Sequence, residues 1–526
     1  MGEELYELPN GWVWATVGEI SKINPRLPEL NYSDDLEVSF LPMKSVEAKT
    51  GRLDLSEIKQ YCQVKKGYTP FIDGDIILAK ITPCFENGKV AIVQNLKNGI
   101  GFGSTEFHVF RLELGIYNKY LLFYFCNQNF IKDAQSNMAG TAGQLRVPAD
   151  YIRNTVIPFP PLPEQYRIVA KVEELFTQLD AGVGLLKKVK AKLKRYRQAV
   201  LKAAVEGNLT AYWRTAHQGE LEPASVLLDR ILKQRREKWE AEQLAKMKAQ
   251  GKTPKDDSWK LKYKEPVAPD TSDLPDLPDG WCWASLQMIA DVIDPNPSHR
   301  MPKYVEAGIP FISTENFSPP DSFDFSIGKK VLQETLYQQR RILKIEEGDF
   351  VLSRIGTIGK TRFLPISQDY CISHALVVIK TLDNSINKRF LRYVISSNTV
   401  LNQAKKGVQS VGVPDLGMAK IRCFAIPLIP FDEQNKILEE IEDAFSIIDQ
   451  LEKTIDTNLK RAERLRQSIL KQAFEGQLVP QDPKDEPAEK LLERIQAEKA
   501  KQVTTKTKKK TKSQIKSPTQ LALPLE

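Results

Sequence analysis

One long stretch of this chain occurs twice without a gap. The first copy covers residues 163–207 and contains RYRQAVLKAAVEGNL, and the second covers residues 432–476 and contains RLRQSILKQAFEGQL. A constant offset of 269 residues relates the two copies. Apolar residues recur in both with a three-four spacing, which is the pattern of a coiled-coil seam. Each copy is therefore predicted to form a helix of roughly 65 Å, at about 1.5 Å per residue.

The ends of both copies carry residues that are typical of helix ends. Prolines such as Pro161 and Pro430 precede each copy, and Gly207 and Gly476 stand where a left-handed C-terminal cap is expected. A helix with so narrow an apolar stripe needs a packing partner. Because the copies have equal length, we predict that the two helices pair with each other in antiparallel orientation. The alternative is two ordinary amphipathic helices on separate cores, which would tolerate independent lengths.

The repetition extends into the residues that precede each helix. LPNGWVWATVGEI at 8–20 returns as LPDGWCWASLQMI at 277–289. Further on, GDIILAK returns as GDFVLSR, NGKVAIV as IGKTRFL, and YNKYLLFYF as INKRFLRYV, with offsets between 269 and 274 residues. Short apolar runs mixed with helical patterns are typical of α/β domains. We therefore predict one α/β fold that is present twice, with different loops between shared anchors.

These patterns divide the chain into six predicted segments. The two α/β domains, the two long helices, a helical spacer with a Pro/Asp-rich linker, and a short helix with a disordered basic tail occupy residues 1–160 and 277–429, 161–208 and 430–477, 209–276, and 478–526, respectively.

Composition and charge narrow the class of protein. At 526 residues the chain is too long for one core, and no apolar run approaches the roughly 20 residues of a membrane span. The N-terminal residues lack the basic and apolar regions of a signal peptide. The six cysteines form no C-x-x-C pair, so we expect reduced thiols in the cytoplasm and no metal site. Most of the net charge of +8 lies in the lysine-rich tail, so global charge does not indicate nucleic-acid binding by the folded domains.

Motifs of the common catalytic classes are absent from the sequence. GTIGKT at 356–361 is close to a phosphate-binding loop, but Arg354 replaces the first glycine of that motif, and a tight hairpin is the better interpretation. The cofactor loop and the N-P-P-[YF] or D-P-P-Y tetrapeptide of DNA methyltransferases are missing. A nuclease site would need an acid two positions before Lys80, where Leu78 stands. We therefore predict no catalytic residues and a function in recognition.

Two pairs of basic residues recur at equivalent places in the two domains. Lys80 and Arg354 end equivalent strands, and Lys89 and Lys360 follow equivalent glycines. Glycine lets a backbone approach closely, and a long cation beside it can reach a phosphate or the acceptor edge of guanine. We predict that all four contact DNA. The alternative is that they are ordinary cations at strand ends and hairpin tips.

Arg146 is the fifth predicted DNA contact. It precedes Val147–Pro148, which we match to Val413–Pro414 in the second domain, where Gly412 replaces the arginine. The tryptophans of the two LP-x-GW-x-W motifs lie at the entry of each domain, and we predict that they pack in the core.

The chain resembles the specificity subunits of type I restriction-modification systems. The resemblance is carried by IPFPPLPEQYRIV and IPLIPFDEQNKIL, which open the two long helices, and by RQAVLKAAVEGNL and RQSILKQAFEGQL, which close them. LP-x-GW-x-W opens both domains, and EPVAPDTSDLPDLPDGW leads into the second. The match covers the chain up to the basic tail.

The resemblance implies two target-recognition domains, joined by an antiparallel pair of helices in a pseudo-twofold arrangement. Each domain would read one half of a split site in double-stranded DNA, and the helices would set the gap and dock two methyltransferase subunits. The chain would be a non-catalytic subunit without its own cofactor. S-adenosylmethionine would be used by the adenine methyltransferase subunits, and ATP and Mg by restriction subunits. Two alternatives remain at this point: a methyltransferase or nuclease with tandem recognition domains, and a coiled-coil scaffold without a DNA role.

Overall fold

The structure is a computed structural model that describes residues 6–141, 143–297, 300–319, 321–382, 384–405 and 414–514. The chain separates into two compact units, each treated by itself below. The first unit comprises residues 1–186 and 456–526, and the second comprises residues 187–455. Each unit contains one α/β domain and one half of each long helix.

The first domain is built from short strands and helices, as predicted. Its strands are β1 Val13–Thr16, β2 Ser21–Ile23, β3 Glu37–Leu41, β4 Ile58–Gln60, β5 Thr69–Ile72, β6 Ile76–Ala79, β7 Val90–Ile92, β8 Ile100–Gly103, β9 Phe107–Leu112 and β10 Val156–Phe159. Its helices are α1 Val17–Ile20, α2 Tyr61–Val64, α3 Asn118–Phe125, α4 Gln128–Ser136 and α5 Ala149–Asn154. The strands form two four-stranded sheets, in the orders β2-β9-β6-β7 and β4-β3-β8-β5, and the pair β1-β10.

Strand β6 shows why this domain needs helices on one face of its sheet and a second sheet on the other. All four of its residues are buried, which is typical of a strand covered on both faces. Ile76 and Leu78 belong to the core formed with α3, α4 and α5, whereas Ile77 and Ala79 belong to the core that includes Leu41 and Phe71 of the other sheet. Alternation along one strand therefore joins two cores.

The first long helix, α6, spans Leu162–Val205 and is followed by α7 at Ala211–Ala216 and α8 at Ala224–Ala249. Gly207 has φ 74°, the left-handed conformation predicted for the cap. Helix α8 returns to the second domain, where Ala224, Leu227 and Ile231 are buried in its core.

The second domain repeats the architecture of the first. Its strands are β11 Cys282–Ser285, β12 Ala290–Ile293, β13 Tyr304–Val305, β14 Ile309–Ile312, β15 Phe317–Ser318, β16 Ser322–Phe323, β17 Lys329–Val331, β18 Phe350–Ser353, β19 Thr361–Phe363, β20 Cys371–Ile372, β21 Leu376–Thr381 and β22 Ala425–Leu428. Its helices are α9 Leu286–Ile289, α10 Gln333–Ile342, α11 Lys388–Ile395, α12 Asn398–Lys405 and α13 Met418–Arg422. The sheet β12-β21-β18-β19 corresponds to β2-β9-β6-β7, and the pair β11-β22 corresponds to β1-β10.

The second long helix, α14, spans Phe431–Phe474, and α15 spans Ala488–Gln514. Both long helices have 44 residues. Helix α15 packs on the first domain through Ala488, Leu491 and Ile495, as α8 packs on the second. In the described part of the chain, no helix is long and apolar enough to cross a membrane.

In the first unit, the beginning of α6 packs against the end of α14. Val172 lies in one core with Ile469 and Leu470. Arg466 forms an ion pair with Asp180 and stacks over the Phe176 ring, with 4.1 Å between the guanidinium carbon and the ring centroid. The helices are therefore antiparallel in this unit, as predicted.

The second unit contains the same contacts between the other two halves of the helices. Arg197 donates to Asp449 at 2.6 Å and stacks over Phe445 at 4.6 Å. These three residues lie 269 positions from Arg466, Asp180 and Phe176, with the helices exchanged. We call each such Arg–Asp–Phe set a clamp. The two clamps fix the register of the pair at both of its ends.

Each domain is fixed to the start of a long helix by a buried hydrogen bond. The indole of Trp12 donates to Glu164 at 2.9 Å, and the indole of Trp281 donates to Glu433 at 2.7 Å. Both tryptophans are buried, as predicted. Burial raises the pKa of Glu164, and the hydrogen bond from Trp12 opposes that shift. The GW and PEQ or DEQ motifs of the sequence are therefore the two sides of one joint.

Candidate nucleic-acid interface

Three chain segments meet at one edge of the first domain. Lys80 directly follows β6, Glu106 directly precedes β9, and Val147 lies two residues before α5. The N–H of Lys80 donates to the carbonyl of Glu106 at 2.9 Å, and the carbonyl of Lys80 accepts from the N–H of Val147 at 2.9 Å. These bonds hold the Lys80 backbone, while its side chain remains half-buried at the surface.

Arg146 lies against Glu106 at the same edge. Its Nε and Nη2 donate to the two carboxylate oxygens, each at 2.9 Å. The hydrogen bonds from Arg146 lower the pKa of Glu106 below its ordinary value, and the charge of Lys80 acts in the same direction. With one carboxylate and two cations, this cluster keeps an excess of positive charge, which suits a polyanionic partner.

Lys89 stands at the end of the turn between β6 and β7. Its ammonium donates to the carbonyl of Met43 at 2.8 Å, and its own carbonyl accepts from the N–H of Ala79 at 2.9 Å. An ammonium has three N–H donors, so the bond to Met43 leaves two for another partner. Lys89 can therefore meet a phosphate without giving up its bond to the protein.

In the second domain, Arg354 takes the place of Lys80. Its N–H donates to Ala375 and its carbonyl accepts from Leu416, each at 2.9 Å, which repeats the backbone bonds of Lys80. The side chain behaves differently, because Arg354 is only 4% exposed and its Nε donates to the carbonyl of His374 at 2.9 Å. Burial makes Arg354 the least accessible of the five predicted contacts.

Lys360 takes the place of Lys89 and is exposed. It ends the loop between β18 and β19, which pair as an antiparallel hairpin from Leu352 and Thr361 outward. Its N–H donates to the Ser353 hydroxyl at 2.9 Å, and its carbonyl accepts from the Ser353 N–H at 2.8 Å. The prediction that GTIGKT is a hairpin is confirmed.

The match of Arg146 to Gly412 is wrong. Isolated bridges pair Ile81 with Arg146 in the first domain and Ile355 with Asp415 in the second. Asp415 is therefore the counterpart of Arg146, at the offset of 269 residues. Similar Val-Pro dipeptides in the two domains had suggested a register three residues away, and Gly412 itself lies outside the described residues.

A comparison with family models places the chain. The model for the type I restriction modification DNA specificity domain matches residues 9–195 and again residues 291–461. The chain belongs to the type I restriction-modification specificity subunits. The two matched regions include nearly all of α6 and most of α14, together with most of both α/β domains.

Individual relatives agree with the family model. The chain is 31% identical to the type I restriction enzyme EcoAI specificity subunit of Escherichia coli, over 86% of this chain and 81% of that protein. It is 28% identical to the EcoEI specificity subunit of the same species, over 89% and 84%. A chain from a solved structure of a type I R-M system covers 90% of this chain and all of its own length, with a TM-score of 0.61 at 21% identity, which supports the fold.

In this specificity subunit the five predicted contacts do not form one cluster. Lys80 and Arg146 lie together, with Lys89 at the end of the turn after β6, while Arg354 and Lys360 belong to the second domain. Their role in DNA contact stays a prediction. Sequence reasoning missed Glu106, which orients Arg146. A pair separated by 40 residues carries no local signal, although the acid just before β9 could have been compared with Ala375 in the second domain.

Proposed function

We propose that the two domains read the two halves of a split DNA target. The observation that supports this most strongly is the repetition of one architecture on an antiparallel helix pair, with different side chains at the equivalent edges. Lys80, Glu106 and Arg146 in the first domain correspond to Arg354, Ala375 and Asp415 in the second. Identical frames with different edges suit two readers of different sequences.

We infer that the paired helices set the distance between the half-sites. Each helix of 44 residues spans roughly 66 Å at about 1.5 Å per residue. The two clamps resist sliding of one helix along the other. A fixed frame between two readers determines half-site spacing in the same way as the geometry of a dimer does.

The helices also offer surfaces for protein partners. Leu185, Val189 and Tyr196 of α6 are 62%, 43% and 57% exposed, and follow helical spacing. Leu465 of α14 corresponds to Tyr196 and is 49% exposed. Exposed apolar residues in line mark interaction sites, so we place two methyltransferase subunits here, one near each of these equivalent positions.

In this role the chain itself is non-catalytic. Its methyltransferase partners would use S-adenosylmethionine, and restriction subunits would add ATP- and Mg-dependent cutting to the complex. Host DNA is the substrate of such a complex, so we place the complex in the cytoplasm.

Methylation mapping of genomic DNA tests the proposed function. Cells that express this chain with its methyltransferase partner should methylate one bipartite motif, and cells that lack the chain should not. A scaffold without a DNA role predicts the same methylation pattern with and without the chain. A tandem methyltransferase predicts transfer of labelled methyl groups to DNA by the purified chain alone. Either of those outcomes would replace the proposal.

A further inference from the structure

A small hairpin stands beside the cluster of Lys80, Glu106 and Arg146. It comprises residues 139–146, and we call it the 139–146 hairpin. Ala139 and Arg146 exchange two backbone hydrogen bonds of 2.9 Å at its base. Gly140, Thr141, Gly143 and Gln144 at its tip are all exposed.

The base of the hairpin is tied to the sheet. The N–H of Thr82 donates to the carbonyl of Leu145 at 3.0 Å, and the N–H of Val147 donates to Lys80 at 2.9 Å. Strand β6 thus ends in a segment that carries the hairpin on one side. The exposed tip rests on a backbone that is hydrogen-bonded to the buried strands of the domain.

Arg146 links the hairpin tip to this base. Its Nε and Nη2 are held by Glu106, and its Nη1 donates to the carbonyl of Gln144 at 3.1 Å. Gly140 has φ 133°, and a Cβ there would lie 2.8 Å from the same carbonyl oxygen. Only glycine allows the loop to close this tightly around Gln144. The backbone of Gln144 is therefore fixed from two sides.

The Gln144 side chain is left facing solvent. Among the described residues, no hydrogen bond to its amide group is observed, although its backbone is held. A glutamine amide presents a donor and an acceptor side by side, which matches the N6 and N7 edge of adenine in the major groove. A two-stranded ribbon is narrow enough to enter that groove. The neighbouring cation Lys80 would attract the phosphates on either side.

We propose that the 139–146 hairpin is the base-reading element of the first domain, with Gln144 reading one base pair and the Arg146–Glu106 pair positioning it. The inference rests on the proposed function and names one specificity-determining residue within it. It also changes the role of Arg146 from a DNA contact to a positioning residue.

The second domain lacks this positioning pair. Asp415 replaces Arg146 and Ala375 replaces Glu106, so no equivalent ion pair can form there. The corresponding loop, residues 406–413, lies outside the described residues. The proposal therefore assigns the Gln144 mechanism to the first half-site alone.

Mapping of the methylated motif with Gln144→Ala tests the reading role. The complex with methyltransferase partner should methylate a motif relaxed at one position of one half-site, with the other half-site and the gap unchanged. Discrimination at that position should fall by roughly ten- to a hundredfold. Gln135→Ala, an exposed glutamine on α4, is the matched control and should leave the motif intact. An unchanged motif with Gln144→Ala overturns the proposal, whereas the absence of any bipartite motif with the unaltered chain overturns the proposed function instead.

A second set of variants tests the positioning role of Arg146. Arg146→Ala should relax the same position as Gln144→Ala, and the double variant should relax it no further. Exchange of the pair, Arg146→Glu with Glu106→Arg, should restore specificity and leave the salt dependence of binding unchanged. If Arg146 instead contacts a phosphate, Arg146→Ala weakens binding to all sequences, the salt slope falls by about one, and the exchange does not rescue. That result would return Arg146 to the DNA contacts. Thermal unfolding of each variant separates these effects from loss of fold.

Discussion

A histidine beside the reading edge is held in its neutral form. His108 on β9 is buried, and its Nε2 lies 2.8 Å from the carbonyl of Val147. Its Nδ1 lies 3.3 Å from Nδ2 of Asn24, whose Oδ1 accepts from Val109, so that the amide is oriented to donate to the ring. Burial lowers the pKa of His108, and the charge of Lys80 adds to that shift.

This histidine predicts a loss of stability in mild acid. Because the pKa of His108 is lower in the folded state than in the unfolded state, its neutral form stabilises the fold above an unfolded-state pKa of about 6.5. That contribution is lost as the pH falls from there through the folded-state value. Urea unfolding at several pH values should show this decrease, and His108→Val, which copies Val377 of the second domain, should flatten it. An identical pH dependence in the variant would show that another group causes the loss.

The predicted cations should separate by accessibility. Lys80→Ala and Lys360→Ala should each weaken binding to all DNA sequences and reduce the salt slope by about one, because each lysine meets a phosphate. Arg354→Ala should mainly lower the melting temperature, since its guanidinium is buried against a backbone carbonyl. Titrations at several salt concentrations, with melting curves for all three variants, measure both effects. A melting temperature unchanged by Arg354→Ala, together with a reduced salt slope, would contradict the assignment of Arg354.

The residue scale also shows what the sequence could not predict. The constant offset of the long helices carried the alignment of the tryptophans and glycines correctly. Between anchors the offset shifts to 274 residues at Lys80 and returns to 269 at Arg146, so short similarities misled the match to Gly412. Side-chain partners that lie far apart in the sequence, such as Glu106 and Arg146, depend on how the loops fold together.

At the scale of the elements, the helix pair was predictable because its pattern is long and repeated. The apolar stripe predicted both helices, the equal lengths predicted their pairing, and the glycine caps predicted their ends. The clamps were less accessible to prediction, although Arg197 and Arg466 stand at equivalent positions. Their acidic partners lie on the other helix, so the antiparallel register had to be known first.

The clamp of the first unit predicts a specific crosslink. With Cys62 and Cys423 replaced by serine to remove the exposed thiols, Asp180→Cys and Arg466→Cys should be joined within one chain by a short bismaleimide. The single-cysteine variants serve as controls and should form only products between chains. Mass spectrometry of the digested protein identifies the linked peptides. Absence of the link between these positions would contradict the antiparallel register.

At the scale of the whole molecule, the helix pair should control the gap and nothing else. Seven residues, one heptad, inserted into α6 between Asp180 and Arg197 and also into α14 between Asp449 and Arg466 would preserve both clamps and the seam. Each insertion adds about 10 Å, or about three base pairs of DNA. Methylation mapping should find the same half-sites with a wider gap. An insertion in α6 alone is the control, and it should disrupt the pairing because it moves the clamps out of register. New bases in either half-site would contradict this role of the helices.

Exchange of one domain tests the division of labour most directly. Residues 1–160 would be replaced by the corresponding domain of another specificity subunit with a known target, and the methylated motif would be mapped in cells with the methyltransferase partner. The account predicts that one half-site becomes that of the donor, while the other half-site and the gap remain as in the parent. A change in both half-sites, or a motif unchanged from the parent, would contradict the claim that each domain reads its own half of the target.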